Sequence, residues 1–334
     1  MKSSSFLRHG LLPQVRRTGD QSRLAPAIDL ANTFEFEDAA RQVLAPPVFA
    51  SVEDPEAHPD GRRDKSNPFD RLTFRPRLVV DVRNMDLRLD LLGAPHLAPI
   101  IIGPEPQQGR FHPQGELATA AGAKGAHTVM TVHHDSSVPL ADIARELDGP
   151  FYFAIDDDTD SGEARSAIAD AARLGATAVI IRIGSAEWDS FARLRETSQI
   201  PVVAHGILSP QDAYEALNYQ ADAIVVARPR RTAPPGSLHP LLALEQVVEE
   251  VADGAPVLYE GGIRRGGDAV KALALGARAV FVTRPAMWAI SAYGDDGLWT
   301  MLEMLQTHMA SDMAMCGKPN LPAVDRNLVR WHRT

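Results

Sequence analysis

Eight short apolar runs follow one another at nearly even intervals through the chain, and this rhythm constrains the fold more than any other feature. They are LAPIIIG (97–103), AHTVMTV (126–132), FYFAID (151–156), ATAVIIRI (176–183), PVVAHGI (201–207), AIVVARP (223–229), PVLYEGG (256–262) and AVFVTRP (279–285), with starts 22 to 33 residues apart. Most are apolar throughout rather than alternating, as strands covered on both faces are. Between them lie helical patterns such as SGEARSAIADAARLG (161–175), with Ser161 as its N-cap candidate, and GGDAVKALALG (266–276). Strand and helix alternating eight times predict an α/β fold, a (β/α)8 TIM barrel. A doubly wound open sheet is the alternative, and eight even units favour closure.

The rest of the chain divides around that barrel. Residues 1–30 are polar and aperiodic and read as a flexible tail. Residues 31–96 read as an N-terminal helical segment and lead-in, and 97–325 as the barrel. Within the lead-in, ANTFEFEDAARQVLAPPVFASV (31–52) suggests a helical pair broken at Pro46–Pro47, because proline lacks the amide that a helix interior needs. EDPEAHPDGRRDKSNP (53–68) reads as a charged loop. A net charge of −9 argues against a nucleic-acid partner, which requires a basic surface. The single cysteine, Cys316, excludes an internal disulfide and fits a reducing compartment. No apolar run suits a membrane span or a signal peptide, so a cytoplasmic location is expected.

In such a barrel the active site forms at the carboxyl ends of the strands. The residues delivered there are Gly103–Pro104–Glu105, His133–His134–Asp135, Asp156–Asp157–Asp158, Arg182, His205, Arg228–Pro229–Arg230, Glu260–Gly261–Gly262 and Thr283–Arg284. Barrels often bind phosphate with the loops after strands seven and eight. Strand seven runs into EGGIRRGGD (260–268), where glycines allow close backbone approach to an anion and Arg264 adds a charged donor. Arg284 closes the site from the other side. The plainer reading is a tight glycine turn with solvated arginines.

Several segments, in order, resemble the FMN-dependent α-hydroxy-acid dehydrogenase and oxidase family, which includes glycolate and lactate oxidases. They are NPFDRLTFRPRLVVDV (67–82), PIIIGPEPQQGRFHPQGELATAAGA (99–123) with its HPxGE element at His112–Glu116, PVLYEGGIRRGGDAVKALALGARAVFVTRP (256–285) and MAMCGKPNL (313–321). The resemblance covers roughly residues 31–325. It implies FMN across the barrel mouth, with Gly262, Arg264, Thr283 and Arg284 at its phosphate, although the family usually has glycine at position 283. It places Glu260 at the ribityl chain, Pro104 and Pro106 on the stretch against the flavin, and His205 where the family has a lysine near flavin N1.

Other positions depart from the family pattern. The stretch that is S-N-H-G-G-R in the family is ARPRRT here, which puts Pro229 at the catalytic histidine and Thr232 at the substrate-clamping arginine. Proline exchanges no proton, and threonine cannot make a bidentate clamp. Ser51 stands for a substrate tyrosine, Ala154-Ile155-Asp156 for Q-x-Y, and Arg182 for a threonine. Three readings stay open. The first is a divergent FMN-dependent oxidoreductase with a non-standard small-molecule substrate in specialised biosynthesis, using His133, His134, Asp156 and His205 as its catalytic candidates. The second is a redox-inactive homologue that has lost FMN and pairs with an active enzyme. The third is a non-redox or metal-dependent barrel. No ligand-spaced metal motif is present, and adjacent His133 and His134 should point opposite ways along a strand. The sequence therefore assigns no metal. The resemblance implies a homo-oligomer, with a hetero-oligomer under the second reading.

Overall fold

The protein is described by a computed structural model covering residues 24–52, 67–184, 187–229 and 238–332. Residues 53–66 of the charged loop expected at 53–68, and Arg230, Arg231 and Thr232, lie outside the described residues, while Asn67 and Pro68 cap and open a helix. The chain enters through α1 (Thr33–Val43), α2 (Pro46–Ala50) and α3 (Pro68–Arg71), followed by β1 (Leu72–Phe74) and a hairpin of β2 (Leu89–Leu91) and β3 (Ala94–His96). The expected break falls at Pro46, the first residue of α2. The repeating units are β4 (Ile100–Ile102), α4 (Glu116–Gly125), β5 (Thr131–His133), α5 (Leu140–Leu147), β6 (Phe151–Asp156), α6 (Ser161–Arg173), β7 (Ala176–Arg182) and α7 (Trp188–Arg195). They continue as β8 (Val202–Ile207), α8 (Pro210–Asn218), β9 (Ala223–Val226), α9 (Pro240–Val251), β10 (Val257–Glu260), α10 (Gly266–Ala274), β11 (Val280–Val282) and α11 (Arg284–Met315). The last helix is broken at Gly294, whose φ of 67° is left-handed. A final strand, β12 (Val329–Trp331), returns to pair antiparallel with β1.

Strands β4 to β11 form one parallel sheet in the order β4-β11-β10-β9-β8-β7-β6-β5. Its ends meet: Ile102 bridges Met130, and the Ile102 N–H donates to the Val129 carbonyl at 3.0 Å. This is the closed (β/α)8 barrel. Its interior is packed by Ile101, Tyr152, Ala154, Ala178, Ile180, Val203, Val225, Leu258 and Phe281. The β2–β3 hairpin adds Leu91 and Ala94 to the same cluster, so it plugs the amino-terminal end. A helix cap differs from expectation by one residue. Asp160, not Ser161, accepts from the Gly162 and Glu163 amides, a position where the helix dipole also favours a negative charge.

Two buried ionic groups fix what surrounds the barrel. Glu116, the last residue of HPxGE, is fully buried. Its carboxylate accepts from the Gln108 amide at 2.9 Å, the Ser137 amide at 3.0 Å and the Ser137 hydroxyl at 2.5 Å. It therefore ties the loop after β4 to the loop after β5. Arg264 docks the N-terminal segment. Its Nη1 donates to Glu37 on α1 at 3.3 Å, its guanidinium lies 4.1 Å from the Trp288 ring centroid, and its carbonyl accepts from Thr33 Oγ1 at 2.8 Å.

At the plugged end, buried His96 Nε2 lies 2.8 Å from the Tyr152 hydroxyl, which donates to the Leu91 carbonyl at 2.8 Å. That arrangement makes Nε2 the donor and leaves buried Nδ1 with no acceptor for a second proton. Burial lowers the His96 pKa from 6.5 to about 4. The folded state thus binds fewer protons than the unfolded state between these values. The stability held above pH 6.5 should fall as pH drops toward 4, by on the order of 3 kcal/mol in all. Chemical denaturation across that window should show a shallower decline in His96→Gln than in the wild type.

Candidate active site

The mouth of the barrel holds a cleft of about 450 Å³, lined by Pro104, Glu105, Arg182, His205, Arg228, Pro229, His239, Glu260, Gly261, Gly262, Thr283 and Arg284, with Ser51 at its edge. A smaller hollow of about 60 Å³ adjoins it between Glu260–Arg264 and Phe281–Pro285. Gly261 and Gly262 turn the chain there with φ of 143° and 66°, conformations that side-chain-bearing residues rarely adopt. The amide donors at the start of α10 are covered by Asp268, which accepts from Arg264 N at 3.0 Å and Arg265 N at 2.9 Å. Helix α11 begins differently. Its N-cap residue, Thr283, makes no side-chain cap, because its hydroxyl donates to Glu260 Oε1.

Glu260 is the centre of the first polar group. Its Oε2 lies 2.5 Å from His205 Nε2, so Thr283, Glu260 and His205 form one hydrogen-bonded chain across β11, β10 and β8. Burial acts to raise the Glu260 pKa. The hydrogen bond and charge of His205, the Thr283 hydroxyl and the Arg182 charge outweigh it and hold the carboxyl at about 2. Glu105 is pushed the other way: burial raises its pKa against the opposing pull of its partner Arg110.

The second polar group is His133, His134 and Asp156. His133 Nε2 is 3.5 Å from Asp156 Oδ1, and Arg182 Nε approaches the same oxygen at 3.6 Å. Contrary to expectation, the two histidine rings lie together, with centroids 4.6 Å apart and planes inclined by 40°. Strict alternation fails because β5 ends at His133 and the chain bends at His134. Burial, then the neighbouring His133, lowers the His134 pKa.

Arg264 and Arg284, the two arginines expected at the phosphate, both line the smaller hollow, and the Arg264 guanidinium also meets Glu37 and Trp288. Pro104 lines the cleft and Pro106 does not. His239, not foreseen from the sequence, lines it from the start of α9, where its Nδ1 accepts from Leu241 N at 3.1 Å. The only trace of it in the sequence is a histidine–proline pair opening an apolar helix.

A closed barrel with a glycine-turned hollow between its seventh and eighth strands is the architecture of barrels that bind phosphate-bearing ligands. The chain belongs to the FMN-dependent dehydrogenase family, whose model matches residues 40–185 and 182–331. FMN is therefore its cofactor. It is similar to a peroxisomal (S)-2-hydroxyacid oxidase of Arabidopsis thaliana, with 28% identity over 90% of this chain and 96% of the relative. It is also similar to 4-hydroxymandelate oxidase of Amycolatopsis orientalis, with 29% identity over 87% of this chain and 96% of that one. A crystal structure of mandelate oxidase with (S)-2-phenylpropionate superposes with a TM-score of 0.81 at 29% identity, covering 90% of this chain and 98% of the other.

The tight packing beneath Glu260 makes a prediction. A Cβ at Gly103 would lie 1.9 Å from Thr283 Oγ1 and 3.2 Å from Glu260 Oε1. Gly103→Ala should lower stability by about 1–3 kcal/mol through overpacking. Denaturant unfolding should show a much smaller loss when the same change is made in a Thr283→Gly background.

Proposed function

We propose that the chain is an FMN-dependent oxidoreductase acting on a small molecule other than a simple 2-hydroxy acid. The observation that carries this reading is Pro229. It occupies the mouth where the family resemblance places the catalytic histidine, and its Cα would lie only 3.1 Å from a Cβ on Gly206. Nothing that exchanges a proton stands at that position, and the backbone is packed too closely for a larger side chain on Gly206 to restore one.

The site fits FMN. The uncapped start of α11, the turn at Gly261–Gly262 and the Arg284 side chain border a hollow suited to a phosphate. Glu260 is assigned to the ribityl chain, His205 to the flavin edge and Pro104 to its face. When bound, FMN supplies the acceptor for an electron pair leaving the substrate. His205 can hold a proton against Glu260 on the cofactor side, while His133, His134 and Asp156 are assigned to the substrate. Arg264 supports this site by docking α1.

Arg284→Ala should weaken FMN retention about ten-fold, the loss of one charge-assisted hydrogen bond, as read by flavin titration of apoprotein. Arg264→Ala should in addition reduce the denaturation midpoint, because it also releases α1. Equal FMN affinity in wild type and Arg284→Ala would remove the phosphate from this hollow. Anaerobic mixing with lactate, glycolate or mandelate should leave the bound flavin oxidised. Rapid bleaching by any of the three would overturn the substrate reading.

A further inference from the structure

We infer that His133, His134 and Asp156 form a binding site for one divalent transition-metal ion at the barrel mouth. Each residue offers a ligand atom, and the three atoms lie within 4.8 Å of one another. His133 is 2% exposed. Its Nε2 and the Nδ1 of His134 are buried with no hydrogen-bond partner among the described residues. Leaving such groups unsatisfied costs about 1–3 kcal/mol each, so two in one cluster call for a ligand. The spacing identifies its kind. His133 Nε2 and Asp156 Oδ1 are 3.5 Å apart, beyond the range of a good hydrogen bond. Two ligands about 2.1 Å from one ion in tetrahedral array stand about 3.4 Å apart.

The chemistry of the set is that of zinc, iron, cobalt or manganese rather than calcium or magnesium, because two of the three ligands are imidazoles. The scaffold is already rigid. His133 closes β5, and the loop behind it is held through Ser137 by buried Glu116. The Asp135 amide donates to His133 Nδ1 at 3.1 Å, fixing the ring and placing its proton on Nε2. An ion at Nε2 therefore requires that proton to move to Nδ1 as the Asp135 amide gives up its bond, so that the ring coordinates as neutral imidazole. Arg182, 3.6 Å from the same carboxylate oxygen, competes with the ion for Asp156. Three protein ligands leave a coordination position for water or a substrate oxygen. The last consequence alone rests on the proposed function: an ion here would hold an oxygen of the substrate in place of the missing arginine clamp.

The test is titration of the flavin-loaded protein with Co2+, followed by visible absorption beyond the flavin bands, and then displacement by Zn2+. One equivalent should bind. Asp156→Asn, which preserves the side chain's shape, and His134→Gln should each weaken binding about a hundred-fold or more, since even outer groups around a metal contribute 10–100-fold. Arg182→Gln should tighten it by relieving the competing charge. Absence of saturable Co2+ uptake by the wild type, or equal uptake in both ligand variants, overturns the site. Flavin content and thermal melting of the same samples report separately on FMN binding and on folding. Should one ligand variant fail to fold, the other decides.

Discussion

Alternation of side chains along strands that must close into a barrel is the constraint on which the rest of the structure depends. Closure forces one face of every strand inward, and that face must fill the interior. Counting two residues on from a packed interior position lands at the mouth. Ile180 leads to Arg182, Val203 to His205, Leu258 to Glu260 and Phe281 to Thr283, all lining the cleft, and Ala154 leads to Asp156 beside Arg182. The register carries the same logic between strands: Asp156 pairs with Arg182, and Arg182 with His205. The polar groups of the mouth therefore share one level because the apolar groups beneath them do. The same count takes Val225 through Ala227 to Pro229, which is how a residue without proton chemistry comes to face the cleft.

Two electrostatic regimes coexist at that level. Glu260 remains ionised in a confined space because three neighbours, His205, Thr283 and Arg182, stabilise its charged form. Glu105 has one close cation, Arg110, and burial dominates. Arg182 connects the regimes, since it acts on Glu260, Glu105 and Asp156 together. A change at Arg182 would thus be felt on both sides of the mouth, by Glu260 and by Asp156.

Much of this architecture was legible in the sequence, because parallel strands buried on both faces write themselves as unbroken apolar runs. Seven of the eight runs contain a whole barrel strand, the run at 126–132 misses only His133 of β5, and residues at or just past the ends of six runs line the cleft. What the sequence concealed depends on contacts between distant segments. That Arg264 also reaches Glu37, 227 residues away, shows only in the folded chain. The short hairpin at Leu89–His96 carries too few residues to show alternation, and its role as a plug depends on Tyr152. The adjacency of the His133 and His134 rings turned on where β5 stops, and strand ends are the least legible part of a periodic pattern.

Barrel enzymes diversify by exchanging loops at the mouth while the strands stay fixed. Glu116 limits that freedom here. One carboxylate receives a backbone amide from the loop after β4 and both an amide and a hydroxyl from the loop after β5. Neither loop can be replaced alone without leaving part of a buried charge unsatisfied. The two loops, with the first turn of α4, thus behave as a single structural module. A recombination boundary placed between residues 108 and 137 would cut through it, whereas boundaries on either side would move the whole unit intact.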